Sequence, residues 1–148
     1  MKKFRYAMQN ILNIKYRLED QAKGEYAAAQ AVLNAEVRKL DLIYEQIREY
    51  ENSLKQLVSG KLDFQEIIFT ENAVELKKNE AKEQKKKVLA ANKAVEIARQ
   101  KLNEIMIDRK THERLKDKAF EQYMLEYNKE EALAVDELVS YRHNNKDE

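Results

Sequence analysis

An all-α fold is predicted by three observations. The 148 residues contain no proline and only two glycines, one credible turn interrupts them, and apolar residues on either side recur at steps of three and four. Two long helices forming an antiparallel coiled-coil hairpin, the second longer, satisfy all three. The expected layout is a single domain with a helix over about 3–58, a turn at 59–63, a helix over about 64–142 and a short tail.

The first helix follows from a stripe through Phe4, Met8, Ile11, Ile14, Leu18, Ala22, Tyr26, Ala29, Leu33, Val37, Leu40, Tyr44, Ile47, Leu54 and Val58. The turn is Val58-Ser59-Gly60-Lys61-Leu62-Asp63. Asp63 with Glu66 three positions on makes an aspartate version of a capping box, which opens the second helix. That helix carries Phe64 and Ile68, then a seam at Val88, Ala91, Val95, Ala98, Leu102 and Ile105. A further seam at Phe120, Met124, Tyr127, Ala134, Leu138 and Tyr141 is out of phase with it, which implies a break in the supercoil between Ile105 and Phe120.

A short turn makes the helices antiparallel neighbours, with facing residues whose numbers total about 122. In that register the alanines from Ala22 to Ala35 meet Ala90, Ala91, Ala94 and Ala98, a narrow waist into which Gly24 also fits. Phe4 falls near Lys118, so the seam of the second helix beyond that point overhangs. Leu40, Leu42, Ile43, Tyr44, Ile47 and Tyr50 form a wide apolar face opposite a lysine-rich stretch at 77–87. That stretch offers few apolar side chains to cover the face, the pattern of a docking surface.

Composition excludes most chemistry. The 28 basic and 27 acidic residues nearly cancel, and Glu80 and Glu83 interleave the lysines of 82–87 without aromatic company, which argues against nucleic acid. No run approaches the roughly 20 apolar residues that cross a bilayer, and polar residues interrupt the start of the chain as a signal sequence. The absence of cysteine fits a cytoplasmic protein. Ser59-Gly60-Lys61 is no phosphate loop, because Lys55 and Leu62 stand where glycine and a hydroxyl residue are needed. His112-Glu113 is no zinc motif, since position 116 is lysine. No catalytic, cofactor or metal site is expected.

The Phe4-centred start, the Leu40 to Leu54 stretch with its tyrosines, the Ser-Gly turn followed by Gln65-Glu66, and the Glu137 and Tyr141 end resemble the FliJ-type proteins of bacterial flagellar export. The likeness covers nearly the whole chain. It implies a non-enzymatic, stalk-like coiled coil, monomeric when free and cytoplasmic at the flagellar base. Such a protein binds the hexameric export ATPase, docks to the membrane export gate and handles export chaperones, without bilayer insertion. By position, the resemblance puts gate docking near the loop, where Ile43, Tyr50 and Leu76 keep the family's residue type; together with the wide apolar face, the expected docking residues are Leu40, Ile43, Tyr44, Ile47, Tyr50 and Leu76. Gln46, Asn72 and Glu83 depart from the family's residue types there. ATPase contact is expected on the overhang, at Phe120, Tyr123, Met124, Tyr127, Leu138 and Tyr141. A cytosolic holdase-type chaperone and a structural scaffold are the competing readings.

Overall fold

A computed structural model describes residues 2–146. They form α1 (Gln9–Ser59) and α2 (Phe64–Lys146), with no strand among the described residues. The first helix therefore begins at Gln9 rather than near residue 3. Residues 2–6 are not helical, and the Gln9 amide donates to the Tyr6 carbonyl at 3.1 Å as the chain turns into α1. The second helix continues past 142, since neither proline nor glycine stops it.

Asp63 caps α2: its Oδ1 accepts from the amides of Gln65 (3.2 Å) and Glu66 (3.4 Å), satisfying two donors that the helix start leaves free. Gly60 has no positive φ, and a Cβ placed there would meet the Gln56 carbonyl at 3.5 Å, an ordinary contact. The aspartate cap, and not the glycine, sets this turn.

Contacts divide the chain into two units, one of Ala22–Leu102 and one joining the residues up to Gln21 to those from Asn103 onward. In the first, α1 and α2 pair antiparallel, as Glu25–Lys101, Glu36–Gln84 and Ile43 and Ile47 against Ala81 show. The seam here keeps a three-four repeat: Ala22, Tyr26, Ala29, Leu33, Glu36, Leu40, Ile43, Ile47 and Tyr50 on α1, and Thr70, Val74, Lys77, Ala81, Gln84, Val88, Ala91 and Val95 on α2. Phe64 and Ile68, expected in the seam, are exposed, and Thr70 and Val74 are buried instead. Of the alanine waist, Ala22 and Ala91 are buried, whereas Ala27, Ala28, Ala31, Ala90 and Ala94 face outward. Gly24 is exposed, and a Cβ there would meet nothing within 4 Å, so no close helix approach demands it.

In the second unit the helices are again antiparallel, pairing Lys15 with Asp108 and Glu19 with Arg109. The buried positions of α1 are Leu12 and Glu19, with Lys15 partly buried between them. Ile11, Ile14 and Leu18, the expected stripe, are exposed. On α2 the more buried positions step through Ile105, Arg109, His112, Lys116, Ala119 and Tyr123, three and four apart. The phase break expected between Ile105 and Phe120 is thus absent: the heptad continues, with polar residues on it.

Candidate partner-binding surfaces

Near the turn, the expected docking face is mostly core. Ile43 (6% exposed) and Ile47 (8%) are buried against Ala81, with Leu40 and Tyr44 packed on the same cluster. The lysine-rich stretch covers them after all. Ala81 is small enough to admit both isoleucines, and Lys85 lays its ammonium 5.7 Å from the centre of the Tyr44 ring. Gln84 closes the flank by donating to the Glu36 carbonyl at 2.9 Å and to its carboxylate. Tyr50 is half-buried, and Leu76 is exposed.

Of the expected face, Leu42 is exposed, and further outward-facing apolar surface lies nearer the turn. Val58, Leu62, Phe64, Ile68, Phe69 and Leu76 are all more than half exposed, Phe69 at 73%. Tyr50 and Phe69 share the lining of a groove of about 420 Å³ with Leu57 and Thr70. Periodicity placed Phe64 and Ile68 inside. The signal against that was Thr70 and Val74, whose spacing continues back from Ala81 and Ala91 in the seam's own phase.

In the other unit, the non-helical start lies along α2 as a strap. Phe4 meets the Phe120 ring edge-on at 5.2 Å and Tyr123 at 5.4 Å, and the Tyr123 hydroxyl donates to the Lys2 carbonyl at 2.8 Å. Phe4 therefore pairs about where the register expected it. However, Phe120 and Tyr123 are partnered within the chain, so the overhang does not start at Lys118. Met124 and Tyr127 are half-buried, and every described residue from Asn128 onward is exposed, including Leu133, Leu138 and Tyr141. The open apolar helix is this shorter stretch.

The same unit holds an ionic cluster. Arg109 donates through Nε to Glu19 Oε2 (2.7 Å), through Nη2 to Glu19 Oε1 (3.1 Å) and through Nη1 to Glu113 Oε2 (3.0 Å). These bonds, first that to Glu19, raise the Arg109 pKa. The Tyr16 hydroxyl donates to Glu113 Oε1 at 2.6 Å, which raises the Tyr16 pKa and lowers that of Glu113. Lys15, 2.8 Å from Asp108, lowers the aspartate's pKa by its hydrogen bond. His112 Nε2 lies 3.6 Å from Asp108, and its buried Nδ1 has no hydrogen-bond partner among the described residues. Every acid here is matched by a cation or hydroxyl, an arrangement that fixes helix register and activates no nucleophile. Among the described residues no cluster of His, Cys, Asp or Glu is placed to hold a metal, and no helix is long and apolar enough to cross a membrane.

The family model for flagellar FliJ protein matches residues 4–148. The chain belongs to the FliJ family. A solved structure of a YscO homologue from Chlamydia trachomatis is similar to it, with a TM-score of 0.63 over 96% of each chain at 19% identity. That likeness supports the two-helix fold. No curated protein sequence matches this FliJ-family chain.

Proposed function

We propose that the protein is a non-catalytic stalk of the flagellar export apparatus, joining the export ATPase ring to the membrane export gate and to export chaperones. The observation that carries this reading is the family match from residue 4 to the end of the chain. The part meeting the ATPase is the open stretch of α2 after Tyr127, where Leu133, Leu138 and Tyr141 stand exposed among the described residues. A ring pore would bury that face, with Met124 and Tyr127 at its edge. The part meeting the gate is the turn-proximal surface around Tyr50, Phe69 and Leu76, since Ile43 and Ile47 serve the core.

The test is a chain ending at Glu130, assayed with the purified flagellar ATPase of the same cell. Circular dichroism should show the remaining helices intact, while stimulation of ATP hydrolysis is lost. Stimulation at full strength by the shortened chain rejects the ATPase assignment.

A further inference from the structure

Phe120, Tyr123 and Tyr127 form an aromatic shelf along α2, with successive ring centroids 6.2 Å apart. Its occupant is the strap, and the contact has two parts. An aromatic side chain, Phe4, seats edge-on against the rings, and one main-chain carbonyl, that of Lys2, accepts from the Tyr123 hydroxyl. An aromatic anchor plus a backbone hydrogen bond is how grooves hold extended peptides. An open cleft of about 830 Å³ at this contact is lined by Lys3, Phe4 and Arg5 of the strap and by Gln122, Tyr123 and Glu126 of α2. Lys2, Lys3 and Arg5 make no ion pair among the described residues. Among the described residues, the strap's backbone is held at two hydrogen bonds, Tyr123 to Lys2 and Gln9 to Tyr6. So little holds the strap that it is a resident ligand more than a fixed element.

We propose that the shelf is a binding site for an extended peptide segment carrying an aromatic anchor, held as Phe4 and the Lys2 carbonyl are held. The chain's own residues 2–6 fill it until a competing segment of the same chemistry displaces them. The inference does not depend on the ATPase reading, because its ligand can be supplied as a peptide.

The chain has no tryptophan, so Phe4→Trp places a lone reporter on the shelf of the full-length protein. Its emission should be blue-shifted, and adding Phe120→Ala or Tyr123→Ala should return it to the solvent position. A free peptide of residues 2–8 should do the same at about millimolar concentration, the level set by a short tether. The peptide with alanine at its phenylalanine should not. In a parallel titration, full-length Phe4→Ala should bind the labelled peptide about fivefold or more tightly than the unaltered chain, whose shelf is occupied. Solvent-like emission without peptide overturns the proposal, as does equal competition by the alanine peptide or equal binding to both chains.

Discussion

Arg109 grips Glu19 across the helix pair with both ends of its guanidinium fork, at 2.7 and 3.1 Å, and keeps its third nitrogen for Glu113. Glu19 is 5% exposed, so the pair occupies a core position of the coiled coil. Bidentate geometry repays part of the cost of taking two charges from water, and it tolerates only one register. Replacing Glu19 alone by alanine should lower the melting temperature, because the guanidinium loses two of its three bonds and keeps only Glu113. Replacing both residues by leucine should cost less than that single change, or nothing. A thermal melt of the three proteins decides it. A double variant less stable than Glu19→Ala would mean the pair adds net stability beyond register.

The same cluster gives stability a pH profile. Asp108 and Glu113 have native pKa values below their ordinary ones, so their contribution is present above the ordinary carboxylate range and is lost as pH falls through the lower native values. Tyr16 is shifted upward, so its contribution is present below about pH 10 and is lost as pH rises through its native value. The melting temperature should form a plateau with falling limbs at both ends. Glu113→Gln should weaken the acid limb and also Tyr16's share of the alkaline one, since the Glu113 bond is the largest cause of both shifts. Two unchanged limbs would show that the hydrogen bond contributes nothing.

This cluster also explains what could be read from sequence and what could not. Where the seam is apolar, at Tyr26, Leu33, Leu40, Ile47, Ala91 and Val95, following hydrophobic residues finds it. Where it is ionic, the rule slips. Ile11, Ile14 and Leu18 form a helical stripe of their own, one position out of phase with the buried Leu12 and Glu19. Arg109, His112 and Lys116 hid the continuing heptad and suggested a break. A charge paired across an interface carries no mark in a single sequence. The burial of Ile43 and Ile47 was hidden for a related reason: lysine and glutamine stems cover apolar surface that their names suggest they leave open. The turn was legible because its cap is local chemistry, an aspartate meeting the next amides.

Gly24 should be replaceable at a profit in stability. It lies within α1, is exposed, and has open space where a Cβ would stand. Gly24→Ala should stabilise the protein by about 1 kcal/mol, the difference in helix propensity. Denaturant unfolding would measure it as a higher midpoint at constant slope. A loss of stability would show that a backbone approach does occur at this position.

The last prediction separates core from contact surface near the turn. Ile43 and Ile47 are buried on Ala81, so alanine at either should cost about 2–5 kcal/mol, the range for truncating a packed aliphatic side chain. Phe69 and Leu76 are over 70% exposed, and alanine there should change stability by no more than about 0.5 kcal/mol. If the proposed gate contact uses the outward face, the second pair should weaken binding to the cytoplasmic part of the export gate while leaving the melt unchanged. Binding should survive Ile47→Val, which trims the core by one methyl group and leaves the surface as it was. The opposite pattern, with binding lost on Ile47→Val and kept in the Phe69 and Leu76 variants, would mean that the pair must open to expose its core. In that case the isoleucines, and not the phenylalanine, make the contact.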